Sequence, residues 1–355
     1  MKPILSIVVP VYNAEAFVAR TIENLLAEKI SKEIILVNDG STDGSREILQ
    51  TYASKYGCIK VINQENGGVS SARNVGMDAA IGEYIFFNDC DDIQEIGALT
   101  QAVGYFDMGV DAVIFSYKGV GAGGQILSAT TYLPTGYYFI EKWASDVEGL
   151  INSHIVSCLG TTVRKLSILR ENNIRFKESL NFYEDIIFGF EYMYCVNNLY
   201  YINEPWHSYV HINPHSLFQG YHNTQAQAVP LLLKTVECFF NKVVHAEYIP
   251  YIHKYTQIVY KASVLNEAKN QPFFSFDAKY KLKIIADSPY LEYCNVSGSL
   301  LPKMYFYCLS HHHFTLLMFL AGLYPKVVSA GWRIVISVGR FVKRRILHNM
   351  KKSSK

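Results

Sequence analysis

The chain has 355 residues, half of them hydrophobic, 18% charged, with a net charge of +2. That length suits one large or two ordinary domains. Seven scattered cysteines without a Cys-x-x-Cys pair argue against a disulfide framework or a zinc site and for a reduced, cytosolic setting. No run reaches about 18 apolar residues, so a membrane-spanning helix is not expected. The N-terminal apolar run Ile4 to Val11 is short and contains Pro10, so no signal peptide is expected either. The charge is uneven: Lys326 to Lys355 holds nine basic and no acidic residues, which leaves 24 basic against 31 acidic in the rest. Such a tail points to an anionic partner, a membrane surface or a nucleic acid.

In chain order, Leu5 to Val9 reads as a buried strand ended by Pro10-Val11-Tyr12-Asn13. Glu15 to Glu28 has helical spacing. A second strand, Ile34 to Val37, runs into Asn38-Asp39-Gly40-Ser41-Thr42-Asp43-Gly44-Ser45, a dense turn signal containing helix caps. A helix over 45–56, a strand over Lys60 to Gln64, a turn at Asn66-Gly67-Gly68 and a helix over Ser70 to Ala80 follow. Tyr84 to Phe87 is a buried strand that ends in Asn88-Asp89-Cys90-Asp91-Asp92, and Asp111 to Ser116 is a fifth strand. This alternation predicts an open, mostly parallel α/β sheet with ligands beyond the carboxyl ends of its strands.

After residue 117 the pattern changes. Gly119 to Gly124 reads as a hairpin or loop, Ile151 to Asn173 as helical in part, Ile186 to Tyr194 as an aromatic helix and Tyr200 to His211 as β. Residues 226–300 read as mostly helical, with Pro230, Pro250 and Pro272 as boundaries. Phe314 to Tyr324 is apolar but too short to span a bilayer. From Lys326 onward, basic residues share one arc of a helix and apolar residues the other, the form that lies in a membrane interface. The expected organisation is a nucleotide-binding half over 1–116, an acceptor half over 117–225 and a helical region over 226–355.

Three carboxylates within four residues repel one another unless a cation joins them. Asp89, Asp91 and Asp92 are therefore candidate ligands of Mg²⁺ or Mn²⁺ carrying a diphosphate, although one such Asp would serve equally as a helix cap. Asp39 is a turn residue or a hydrogen-bond acceptor for a nucleobase or ribose. Arg73 is a solvated helix residue or a partner for phosphate. Glu184-Asp185 is a helix cap or a general base. His311-His312-His313 reads as surface, since consecutive residues do not converge on one ion. Nothing before the tail suggests a nucleic-acid module.

Four ordered motifs resemble family 2 glycosyltransferases: Ser6 to Asn13, Asn38 to Ser45, Asn66 to Asn74 and Phe87 to Asp92. Arg170 to Phe176 and Tyr183 to Phe188 resemble the acceptor half of bacterial polysaccharide members. The resemblance implies a glycosyltransferase A-type fold and inverting transfer from a nucleotide-sugar donor, with UDP favoured, to a lipid-linked or oligosaccharide acceptor. Pro10, Tyr12, Glu15 and Asp39 would line the nucleotide pocket, and Arg73 would approach the diphosphate. Asp89 and Asp91 would bind ribose and metal, with Asp92 as an alternative ligand. Asp185 would be the base, assisted by Glu184. His211 stands where members often carry Arg beside the leaving diphosphate, and Asn88 where they often carry an apolar residue. The basic tail, residues 326–352, would hold the protein on the inner face of the membrane. The rival readings are a nucleotidyltransferase, which would show a Gly-rich basic loop after the first strand, and a catalytically silent carbohydrate-assembly protein.

Overall fold

A computed structural model describes residues 2–121, 123–211, 222–244, 248–270, 276–293, 308–312, 314 and 317. The expected basic tail, the apolar piece before it except for two residues, and Pro272 lie outside these residues. The chain divides into two units, Met1–Tyr255 and Thr256–Lys355.

The first unit is built on one sheet. Its strands are β1 (Leu5–Val11), β2 (Lys32–Asp39), β3 (Ile59–Gln64), β4 (Tyr84–Phe87), β5 (Ile93–Gln94), β6 (Ala112–Gly121), β7 (Ile126–Ala129), β8 (Gly136–Phe139), β9 (Thr162–Lys165) and β10 (Asn198–His211). The order is β3-β2-β1-β4-β9-β6-β10-β5, with β7 paired to β6 and β8 to β10. The helices are α1 (Val18–Leu26), α2 (Ser45–Lys55), α3 (Val69–Ala79), α4 (Ala98–Gly104), α5 (Ile140–Trp143), α6 (Val147–Ser153), α7 (Leu166–Glu171), α8 (Glu184–Cys195), α9 (Gln225–Val243) and α10 (Ile249–Asn270), which runs across the division. The second unit continues with α11 (Phe276–Ala286), in which Lys281 pairs with Asp277 at 2.7 Å.

Every residue of β1 is buried, as expected of a central strand covered on both faces. Ile7 aligns with Ile34 of β2 on one side and Phe86 of β4 on the other. Pro10 is tolerated in this strand for a local reason. Val8 O accepts from Asn88 N, so residues 6, 8 and 10 face β4, and the β4 ladder ends at Val8. The missing N–H of Pro10 falls just past that end.

The parallel arrangement expected from the sequence holds for β3-β2-β1-β4. Beyond β4 the sheet is mixed, because β9 lies antiparallel between β4 and β6. This four-residue strand, Thr162-Val163-Arg164-Lys165, sits in the stretch expected to be partly helical. It is too short and too basic to announce itself by alternation. Its Arg164 is 1% exposed and lies over the rings of Phe87, Phe188 and Tyr192. It donates to the Leu159 and Thr162 carbonyls, and burial lowers its pKa to about 10.

Two further expectations are corrected. The first helix begins at Val18, not Glu15, because the preceding amides are engaged elsewhere: Ala14 N donates to Ser45 Oγ and Glu15 N to Asp43 Oδ2. Pro230 does not end a helix but lies inside α9, whose Leu232, Leu233, Val236, Phe239 and Phe240 are buried. Burial of that face outweighs the one hydrogen bond that proline removes. The Gly119 to Gly124 stretch is a hairpin from β6 to β7, turning at Gly124 with φ of +78°.

Helix α3 sits on the sheet through Gly76, where a Cβ would come within 2.3 Å of Val8 Cγ1. Gly76→Ala therefore overpacks this seat, and an unfolding midpoint in urea should reveal a loss of about 1–3 kcal/mol. Gly104→Ala in α4, where a Cβ meets nothing within 4 Å, should instead gain about 0.5–1 kcal/mol in the same measurement.

Candidate active site

The order of strands reverses at β1, with β2 and β3 on one side and β4 on the other. A crevice outside the carboxyl ends is expected at such a point. The loops after β1 and β2 are sewn together there. Asn13 accepts from Thr42 N through Oδ1 at 2.8 Å, and its own N–H donates to Ser41 Oγ. Glu15 accepts from Gly44 N at 3.0 Å. Asn38 makes the turn, accepting from Ser41 N. The run Asn38 to Ser45 is thus a set of short polar groups that hold two strand ends in register. Pro10 is buried beside it, and Tyr12 is 50% exposed at the rim.

Asp39 ends β2 and is 3% exposed. Its Oδ1 accepts from Gln64 Nε2 at 2.7 Å and Gly67 N at 2.8 Å, and its Oδ2 from Gly68 N at 2.9 Å. Three donors hold this carboxylate in one orientation. Gly68, with φ of +84°, adopts a conformation that only glycine takes readily, and it directs an amide at Asp39. Gly40 permits the approach from the other side: a Cβ there would come within 2.8 Å of Asn66 N.

The acidic end of β4 splits into two environments. Asp92 points inward, 2% exposed. Its Oδ1 accepts from Val210 N at 3.1 Å, and its Oδ2 lies 3.2 Å from His207 Nε2. Gln94 joins the same buried group, donating to Asn88 Oδ1 at 2.7 Å with His207 Nδ1 also 2.7 Å away. Asn88 in turn donates to Asp89 O at 2.8 Å. This polar chain explains why an amide, rather than an apolar residue, stands at position 88. It also occupies both oxygens of Asp92. Asp89 faces the other way, its side chain 42% exposed. Asp91 is half-buried, and its carbonyl accepts from Arg20 Nη2 at 2.8 Å.

Arg73 connects this end of β4 to α8. Its Nη2 lies 2.9 Å from Asp89 Oδ1 and its Nη1 3.2 Å from Glu184 Oε1. The guanidinium stands over the ring of Phe176 at 5.3 Å and is 5% exposed as a residue. Burial works against its charge, but Asp89 and Glu184 overcome that and raise its pKa. Asp185 follows Glu184 in the first turn of α8 and accepts from Ile186 N at 2.7 Å. Burial pushes the Asp185 carboxyl up to about 7. Glu184 adds to the rise, and Arg73 opposes it. A carboxylate poised there exchanges protons near neutrality.

Asp39, Arg73, Asp89, Glu184 and Asp185 are therefore brought to one end of the sheet. The side chain of His211, the last residue of β10, lies outside the described residues. Gln64, Gln94, His207 and Tyr183 were not read as site residues from the sequence. Only Gln64, at the end of a strand beside Asn66-Gly67-Gly68, carried a local signal. Among the described residues no three His, Cys, Asp or Glu side chains converge as a ready-made metal site. Asp89 and Asp91 still suit an ion carried by a diphosphate, which needs only one or two protein carboxylates. Asp92 does not suit it, because both its oxygens are engaged inside the fold.

Residues 6–149 match the family model "Glycosyl transferase family 2". EpsJ of Bacillus subtilis strain 168, an uncharacterized glycosyltransferase, is 54% identical over 93 residues, covering 26% of this chain and 27% of EpsJ. EpsH of the same organism is 29% identical over 253 residues, covering 68% of this chain and 70% of EpsH. TarS of Staphylococcus aureus, a poly(ribitol-phosphate) beta-N-acetylglucosaminyltransferase, is 26% identical over 301 residues, covering 82% of this chain and 48% of TarS. The chain thus spans about a quarter of EpsJ and about half of TarS. Crystal structures of TarS 1–349 with UDP and with UDP-GlcNAc superpose with a TM-score of 0.67 at 18% identity, covering 92% of each chain. That likeness establishes the shared fold, a mixed sheet flanked by helices. Through the segment 6–149, the chain is similar to glycosyl transferase family 2.

Proposed function

We propose that the protein is an inverting glycosyltransferase that moves a sugar from a UDP-sugar to a hydroxyl of a growing surface polysaccharide, teichoic acid-like in class. The observation that carries this reading is the Arg73 bridge between Asp89, at the nucleotide side, and Glu184, next to Asp185. It joins a cation fit for a diphosphate to a carboxylate poised as a base. TarS, which binds UDP-GlcNAc on the same fold, supports the donor class.

In this mechanism Asp185 takes the proton of the acceptor hydroxyl. The oxygen attacks the anomeric carbon from the face opposite the nucleotide, the bond to the diphosphate breaks, and the configuration inverts. Arg73 offsets negative charge as the diphosphate leaves. Asp39, locked by Gln64, Gly67 and Gly68, presents a fixed acceptor to the base or ribose. Mg²⁺ or Mn²⁺, held by Asp89 and Asp91 together with diphosphate oxygens, would add to the charge neutralisation. A lipid-linked acceptor and a site of action on the inner face of the membrane fit the basic residues of 326–352.

Release of UDP from UDP-N-acetylglucosamine, UDP-glucose and UDP-galactose, with Mn²⁺ and poly(ribitol phosphate), tests the reading; no release from any of them would overturn it. Turnover should fall as pH drops through about 7, where Asp185 takes up a proton. Asp185→Asn should lower turnover by about 10²–10⁴-fold, while calorimetry shows unchanged UDP affinity. Wild-type turnover in this variant would exclude Asp185 as the base. The same substitution should stabilise the fold at pH 8. The native pKa of Asp185 lies above its unfolded value, so ionisation costs stability as pH rises towards 7, and the gain should vanish near pH 4.

Asp91→Ala should weaken UDP binding in the presence of Mn²⁺ and leave binding in EDTA unchanged; equal weakening in both would remove Asp91 from the metal. Deletion of residues 326–355 should abolish co-sedimentation with phosphatidylglycerol vesicles, and unchanged sedimentation would refute the membrane reading.

A further inference from the structure

Among the described residues, five that are not glycine have positive φ. Four are Asn or His, types that enter the left-handed region with some ease. The fifth is Tyr183, with φ of +67°, directly before Glu184 and Asp185. Backbone strain in a bulky residue persists only where the surroundings impose it. Here they come from residues 222–224 and the first residue of α9. Asn181 N donates to Thr224 Oγ1 at 2.9 Å, and Asn181 Nδ2 to Asn223 Oδ1 at 2.8 Å. The rings of Phe182 and His222 stack with centroids 3.8 Å apart. Gln225, 3% exposed, donates from Nε2 to the Tyr183 hydroxyl at 3.1 Å.

Tyr183 is also the N-cap of α8, which has no side-chain cap, and its carbonyl accepts the helical bond from Ile187 N at 3.0 Å. A shift of Tyr183 therefore moves the turn that carries Asp185. We propose that Gln225 is a positioning residue that acts through Tyr183 to fix where Asp185 stands against the acceptor hydroxyl. This rests on the reading of Asp185 as the base. The groups that face Asp185 are Glu184 on its own helix, Arg73 from α3, Asp89 after β4, and the hydroxyls of Tyr183 and Tyr255. Burial pushes the Tyr183 hydroxyl up to about 12, so it stays protonated through neutrality and can keep its place against Gln225.

The test uses the full chain with Mn²⁺ and whichever of the three UDP-sugars is turned over fastest. Gln225→Leu, Tyr183→Phe and the double variant are compared. Tyr183→Phe keeps the ring and removes only the hydroxyl. Each single variant should lower kcat by about 10–100-fold with KM for the UDP-sugar unchanged, and the acid limb of the pH–rate profile should move from its wild-type position. The double variant should be no worse than the weaker single one, since both break the same link. If Tyr183→Phe retains wild-type kcat and an unmoved acid limb, the proposal is overturned, whatever Gln225→Leu does to the urea midpoint. Asp185→Asn in the same assay separates the two ideas. Turnover in that variant would sink the base itself, whereas its loss beside an unaffected Tyr183→Phe would sink the clamp alone.

Discussion

One guanidinium decides whether this end of the sheet can exist. Asp89, Glu184 and Asp185 crowd together, and Arg73 is the buried cation set among them. A buried charge that loses its partner costs about 3–5 kcal/mol, so the bridge is structural as well as chemical. Its geometry depends on features that carry no charge. Gly76 lets α3 lie against Val8 and Val37, and Phe176 backs the guanidinium, itself stacked on Phe188 with centroids 3.9 Å apart. The tight seat of a helix on a sheet thereby sets the position of a charge.

The four residues Asp89 to Asp92 show how little a carboxylate's type says about its task. Asp92 and Asp89 stand three positions apart on one turn of chain, yet one closes a buried network with His207 and Val210 while the other faces outward and pairs with Arg73. Gly160 belongs to the first environment, since a Cβ there would meet the His207 ring at 2.5 Å. The inner carboxylate anchors β10 to the β4 end, and the outer one stays open to solvent.

Most of residues 1–116 was legible in the sequence, because the strands there are continuous apolar runs and the turns are dense in Gly, Asn, Asp and Ser. The crowding of carboxylates was legible too. Which of them faces outward was not, because Asp92 is turned inward by His207, more than a hundred residues along the chain. The β9 strand was hidden for a similar reason: its pairing is fixed by two long-range neighbours and not by its own alternation. Pro230 misled because local propensity yields to a well-buried helix face. Tyr183 gave no signal at all, since left-handed backbone in an aromatic residue is imposed by its surroundings and cannot be read from its type.

The Arg73–Glu184 contact spans 111 positions, whereas the bonds that sew the loops after β1 and β2 span about 30. This difference sets an order of events at the ribosome. Chains emerge from the N-terminus at about 5–20 residues per second. The strand ends that hold Asp39 and Asp89 are therefore available several seconds before α8 leaves the exit tunnel. Through that interval Arg73 has Asp89 as its partner and lacks its second one. The growing polypeptide holds the ends of β2 and β4 and a half-partnered Arg73 until its second half has arrived.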